Sequence, residues 1–303
     1  MRSWQSRVFE KIVVLSGRKK KFLSVTSMQA FIDGNRNRAR YTLKPAYMKK
    51  HHILTLLNDE MEVYVLNSNS NTGKSILYLP GGAYINEPTN FHWRYIVKLA
   101  KKTGHKIYVP IYPKLPNFTH EDCYKQLNLL YLDVLRKDPN ELIFMGDSAG
   151  GGLALAFAQT LFLANRKGPS KLILFSPWLD LSADDPAYIE LETIDPMIGS
   201  LGAKMLGELW AAQVELSNPL VSPMYGPIKQ LGKISIFVGT AEMLLIDAQR
   251  FHARAQSEGV EIEYYEYEGM NHAFALFPIP EAEDVLNKVI SLLIEDSEIL
   301  VLG

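Results

Sequence analysis

From residue 75 onward, short apolar runs alternate with longer amphipathic stretches, and that alternation predicts strands and helices in turn. The runs fall at 75–79, 106–111, 142–145, 171–175, 233–238 and 261–267. Helical spacing occupies about 90–103, 120–137, the small-residue stretch beyond Ser148, 245–257 and 281–294. Such an order is most economically an α/β fold, a mostly parallel sheet with helices on both faces. Before it, 53–57 and 61–66 read as an antiparallel hairpin around Asn58, Asp59 and Glu60. Residues 1–50 show helical periodicity in two pieces that break near 16–21, and 182–225 are rich in turns, Pro, Met and Tyr around a helix near 201–213. Both segments are expected to form a helical cap, residues 1–50 as an N-terminal piece and 182–225 as an insertion in a domain of 51–303.

With 303 residues, 47% of them apolar, the chain has enough length for one large core or two small ones. No stretch approaches the eighteen apolar residues of a membrane span, and 12–15 is too short for a signal segment. Trp4, Val8, Phe9, Ile12 and Val13 lie at helical spacing beside Arg7, Lys11 and Arg18, a pattern that fits a membrane-surface helix or, preferably, a lid helix packed on the body. The single Cys123 excludes an intrachain disulfide, so a soluble, unprocessed protein of the reduced cytoplasm is expected.

A formal net charge of -1 predicts no polyanion partner for the whole chain, and no nucleic-acid motif is present. The average conceals an asymmetry. Residues 1–50 carry thirteen Lys and Arg against Glu10 and Asp33, a net +11, which leaves -12 for the remainder. The run Arg18, Lys19, Lys20, Lys21 is first a solvated face; the competing reading is contact with an anionic surface or substrate.

The chemistry centres on 141–158, where an apolar run ends at Gly146 and a helix of small residues begins just beyond Ser148. Gly146, Asp147, Ser148, Ala149 and Gly150 spell G-x-S-x-G, a sharp strand-to-helix turn that holds a nucleophilic serine in strained backbone and needs flanking residues without a Cβ. A hydroxyl requires a base, and the base a carboxylate to orient it. Of seven histidines, His51, His52, His92, His105, His120 and His252 have no partnering motif, whereas His272 follows the 261–267 strand in Gly269-Met270-Asn271-His272-Ala273-Phe274. After the 233–238 strand two carboxylates are available. Glu242 is nearer the strand end; Asp247 suits the first turn of the next helix but stays open as the acid. Asp147 and Asp180 read as loop-bonding groups. Pro80-Gly81-Gly82-Ala83 ends the 75–79 strand, where backbone N–H groups can face a developing oxyanion. Gly73-Lys74-Ser75 is no phosphate loop, because the first glycine would fall at Ser68 and the segment precedes a strand.

Taken in order, the oxyanion glycines, GDSAGG, SPWLD, the carboxylate after a strand and GMNHAF resemble the hormone-sensitive-lipase-like esterases of the α/β-hydrolase superfamily over about 75–295. Tyr112-Pro113, Pro116 and Ser222-Pro223 extend the resemblance. It implies an α/β-hydrolase sheet, hydrolysis of small, short-acyl carboxylic esters, Ser148 as nucleophile, His272 as base, Glu242 as acid, and the N–H groups of Gly82, Ala83 and Ala149 as oxyanion donors. Two departures stand out: Pro80 replaces the histidine of the usual His-Gly-Gly-Gly, and glutamate replaces aspartate. No metal or organic cofactor is implied, the expected partner is a small-molecule ester with no stable membrane insertion, and a homodimer is left open. Alternatives are a non-catalytic receptor on the same fold, a serine peptidase and an acyltransferase.

Overall fold

The computed structural model describes residues 2–138 and 140–294. Eight strands form one sheet: β1 Leu54–Asn58, β2 Met61–Leu66, β3 Lys74–Leu79, β4 Lys106–Pro110, β5 Glu141–Asp147, β6 Lys171–Phe175, β7 Lys233–Gly239 and β8 Ile262–Tyr267. Their spatial order is β1-β2-β4-β3-β5-β6-β7-β8. The hairpin β1–β2 and the β2–β4 pair are antiparallel and every later pairing is parallel. Asp59 adopts φ 53° in the hairpin turn, a conformation that Asp tolerates better than most residues.

The central strands are mainly apolar between their ends because both faces are covered. Leu77, Leu79, Leu142, Phe144, Leu172 and Leu174 enter one core, while Ile76, Tyr78, Ile143, Met145, Ile173 and Phe175 enter the other. Helices α5 His120–Asp133, α6 Ser148–Leu163 and α9 Leu245–Ser257 cover the first face; α4 Asn90–Thr103 and α10 Pro280–Ile294 cover the second. Both ends of α4 follow from sequence: Thr89 and His92 form a reciprocal cap, and Gly104 ends the helix in the left-handed region.

The N-terminal region is more divided than its periodicity suggests. It holds α1 Trp4–Leu15, a 3₁₀ turn Arg18–Phe22, α2 Val25–Asn35 and α3 Pro45–His51. Phe22, Met28 and Ile32 join the first core, whereas Tyr41, Leu43, Tyr47 and Met48 pack toward the second. On α1, Phe9 packs against Phe91 and Phe277, but Trp4 is 70% exposed and Val8 and Ile12 also face outward. Three of the five apolar positions expected to pack, Trp4, Val8 and Ile12, therefore do not, while Phe9 and Val13 do. Residues 182–225 contain two helices instead of one, α7 Ala187–Ile194 and α8 Ser200–Ala211. Within α8, a Cβ on Gly202 would come within 2.7 Å of the Phe22 Cα, so the absence of a side chain lets α8 approach the 3₁₀ turn. The insertion thus packs on part of the N-terminal segment, with α8 against the 3₁₀ turn and α2.

Candidate active site

Ser148 sits between the end of β5 and the start of α6 with φ 53°, the strained conformation of a sharp strand-to-helix turn. The flanking glycines are sterically required. A Cβ on Gly150 would lie 2.0 Å from the Leu79 carbonyl oxygen, and one on Gly146 would lie 2.4 Å from that of Gly150. Behind the turn the Trp178 N–H donates to the Ser148 carbonyl at 3.0 Å.

Three side chains from separate loops meet here. His272 Nε2 lies 2.9 Å from Ser148 Oγ, and its Nδ1 lies 2.6 Å from Glu242 Oε2. The other Glu242 oxygen accepts from Ser176 Oγ at 2.7 Å and from the Gly239 N–H at 2.7 Å. Ser176 Oγ in turn accepts from the Ala273 N–H at 3.1 Å, so one hydroxyl ties the acid loop to the histidine loop. Burial disfavours the imidazolium, but the hydrogen bond and charge of Glu242, with the charges of Asp195 and Asp147, outweigh it and raise the His272 pKa above its ordinary value.

Asp247 lies elsewhere. One of its oxygens accepts from the Leu179 N–H at 2.9 Å and the Asp180 N–H at 3.1 Å, while the other accepts the Tyr188 hydroxyl. Burial pushes its carboxyl up to about 7 against these donors. It organises the 179–180 loop and makes no contact with His272. Asp180 itself accepts from Ser182, Tyr225 and Arg250, a loop-bonding group.

The segment after β3 curls over Ser148, with Gly82 at φ 144° and Ala83 and Tyr84 in the left-handed region at 53° and 57°. The N–H groups of Gly82 and Ala83 have no acceptor among the described residues. Ala149 lies in the first turn of α6, where N–H groups lack intrahelical acceptors. Asp147 steadies this loop. Its Oδ1 accepts from the Gly81 N–H at 3.1 Å and the Tyr78 hydroxyl at 2.9 Å, and its Oδ2 faces His92 Nε2 at 3.1 Å. Although burial alone would raise the Asp147 pKa, His92 and these donors hold it below the ordinary carboxylate value.

Sequence reasoning gave no role to His92, Ser176 or Asp195. The Thr89-x-x-His92 spacing at a helix start was the available signal for the first, since the capping bond fixes the ring. Asp195 accepts from the N–H groups of Met197, Ile198 and Met243 at 2.7, 3.0 and 2.8 Å, which joins the insertion to the acid loop. The Met197 and Ile198 amides follow Asp195 closely in sequence, a turn that Asp commonly makes, but only tertiary structure brings the Met243 N–H to it, so no local pattern announces that link.

Above Ser148 and His272 opens a cavity of about 540 Å³. Its walls are mainly apolar, with Phe22, Phe91, Trp178, Met197, Leu244 and Phe277, and Arg18, Lys21 and Arg38 enter from the N-terminal segment. A hydroxyl hydrogen-bonded to a carboxylate-oriented imidazole, beside free backbone N–H groups and under an apolar cover, can attack a carbonyl and stabilise the resulting anion.

A family model described as alpha/beta hydrolase fold matches residues 76–276. A triacylglycerol lipase of Mycobacterium tuberculosis is 28% identical over 68% of this chain, and the match spans 43% of that lipase. The esterase LipU of the same organism is 30% identical over 72% of this chain and 76% of its own length. Among solved structures, a Staphylococcus aureus protein provisionally described as an esterase superposes with a TM-score of 0.85 at 28% identity, covering 92% of this chain and 97% of the other.

Proposed function

We propose, from the premise that this chain belongs to the alpha/beta hydrolase fold family, that it is a serine carboxylesterase acting on small, short-acyl esters. Within the family, GDSAGG and GMNHAF place it beside the hormone-sensitive-lipase-like esterases, and its relatives are described as esterases and lipases. The observation that carries the proposal is the unbroken chain of hydrogen bonds from Ser148 Oγ through His272 to Glu242.

In the proposed reaction His272 Nε2 takes the Ser148 proton as Oγ attacks the ester carbonyl, and the N–H groups of Gly82, Ala83 and Ala149 receive the oxyanion. His272 then protonates the departing alcohol, which leaves an acyl-Ser148 intermediate. Water, deprotonated by His272, releases the acid and restores the serine. Glu242 holds the imidazole by Nδ1 and stabilises its positive charge without itself taking the proton. The helical layer from the N-terminus and residues 182–225 serves as a cap that limits acyl length, since Phe22, Met197 and Ile198 close the cavity. The absence of a second cysteine suits a reducing, cytoplasmic setting. Among the described residues no helix is long and apolar enough to cross a membrane.

The test is steady-state hydrolysis of p-nitrophenyl butyrate. Ser148→Ala is expected to lower kcat by roughly four to six powers of ten. Parental turnover by that variant would refute the assignment.

A further inference from the structure

The basic run at 18–21 divides by function once folded. Lys19 Nζ donates to the carbonyls of Glu192 and Asp195, so it caps the end of α7 and locks the 3₁₀ turn to the insertion. Lys20 is exposed and lies outside the cavity wall. Arg18 and Lys21 instead line the cavity that contains Ser148, where Arg38, from the stretch after α2, joins them. Three cations from two short segments therefore share one wall of an otherwise apolar chamber.

Their partners are the informative feature. Among the described residues no carboxylate forms an ion pair with Arg18, Lys21 or Arg38. Lys21 Nζ lies 3.7 Å from the centre of the Phe31 ring, and Arg38 donates to the Ile85 carbonyl at 3.1 Å. The cavity's two carboxylates are both engaged: Glu87 pairs with Lys114 at 3.0 Å, and Asp147 faces His92 and accepts from Gly81 and Tyr78. Lys21 is half-buried, and burial together with the neighbouring Arg18 and Arg38 charges presses its ammonium down to about 8. A lysine crowded by two guanidinium groups without a counter-ion is a poor arrangement for an empty pocket and a good one for a pocket that fills with an anion.

We infer that the preferred substrates are esters bearing a carboxylate or phosphate remote from the scissile carbonyl, received by Arg18, Lys21 and Arg38. The inference rests on the esterase reading and narrows it: the apolar wall takes the carbon chain while the cationic wall fixes which end enters first. Chemistry at Ser148 is unchanged, and the three cations act as specificity-determining residues through charge.

Matched substrates test this. Wild-type protein is assayed with p-nitrophenyl hydrogen glutarate against p-nitrophenyl pentanoate, which differ by a terminal carboxylate in place of a methyl, after subtraction of spontaneous hydrolysis. A second pair, 4-acetoxyphenyl phosphate against 4-methylphenyl acetate, places a phosphate on the alcohol side and separates the two anion sources. In at least one pair the anionic member is expected to show about tenfold higher kcat/KM, as befits a few partly screened charges. That advantage should shrink at 0.5 M NaCl and collapse toward unity in Arg18→Gln/Lys21→Met. A neutral preference in both pairs, or a ratio unmoved by the double variant, overturns the inference. Arg38→Gln, at an exposed position, supplies an independent change should the double variant misfold. If wild-type protein turned over none of the four esters, the esterase reading would fail, and the anion site would be judged alone. Calorimetry on Ser148→Ala with 5-phenylpentanoate against its N-methylamide does so: tighter carboxylate binding sustains the site, and equal or weaker binding removes it.

Discussion

Glu242 and Asp247 stand five positions apart and both are completely buried, yet their hydrogen bonds lead to different places. Glu242 meets His272; Asp247 meets two amides and a tyrosine hydroxyl. Asp247 bonds only the 179–180 loop and Tyr188, so an amide there leaves the imidazole's partner in place, whereas Glu242→Gln strips the imidazole of its counter-ion. Glu242→Gln is expected to lower kcat/KM by roughly two to four powers of ten, and Asp247→Asn far less; steady-state kinetics of the two variants would reveal the reverse ranking. The pH profile adds a second reading. In the proposed reaction His272 must be neutral to accept a proton, and its pKa lies above the ordinary histidine value, so kcat/KM is expected to rise with pH toward a plateau, with the acid limb shifted up from that of an ordinary histidine. Removing the Glu242 charge lowers that pKa, so in Glu242→Gln the acid limb should move to lower pH while the plateau falls. At this scale the sequence was legible where the pattern is local: the sharp turn at Ser148 between its glycines and the place of His272 after a strand were readable from neighbours. The contacts of His92 with Asp147, of Ser176 with Glu242 and of Asp195 with Met243 were not, since they span 55, 66 and 48 residues.

Elements were legible in proportion to how strongly their ends are marked. Helix α4 spans the expected 90–103 because Thr89 and Gly104 specify both termini. Helix α7 carries no such marks: Pro186 precedes it, no side chain caps it, and only Tyr188 is buried along its eight residues. Its stability comes from Asp247 and Lys19, both contributed by other elements. Two glycine positions carry predictions at this scale. In Gly150→Ala the new methyl would fall 2.0 Å from the Leu79 carbonyl oxygen, a backbone atom that cannot swing aside, so unfolding free energy from urea titration should fall by about 3 kcal/mol. At Gly202→Ala the clash is with the Phe22 Cα at 2.7 Å, across the helical layer and away from the sheet. That change should lower the thermal midpoint and raise KM more than it lowers kcat, because it displaces cavity walls and leaves Ser148 in place. An unaltered KM would separate α8 from substrate binding.

For the whole molecule, the alternation of apolar runs with helical stretches made a mostly parallel sheet covered on both sides the most economical reading, since such strands must be hidden on both faces. The packing of residues 1–50 was not given by periodicity, which cannot say whether an apolar stripe finds a partner; Trp4 does not. Stability as a function of pH belongs to this scale too. Asp138 joins β3, β4 and the start of β5 through Ser75, Tyr108, Lys106 and the Asn140 N–H. Although burial works to raise its pKa, these partners hold it below the ordinary carboxylate value. A depressed folded-state pKa adds stability that is complete above the unfolded value of about 4 and drains as pH falls through the folded value. Asp138→Asn should therefore flatten the loss of stability below about pH 4 in thermal melts, and an unchanged acid slope would count against that anchor.

The most direct measurement is the intact mass of the protein after treatment with an ethyl fluorophosphonate, followed by peptide mapping. One adduct, on Ser148, is predicted for the wild type, with none in Ser148→Ala and a strongly slowed reaction in His272→Ala. Labelling at another residue, or an unmodified wild-type protein under conditions that label a control serine hydrolase, would contradict the assignment of Ser148 as the nucleophile.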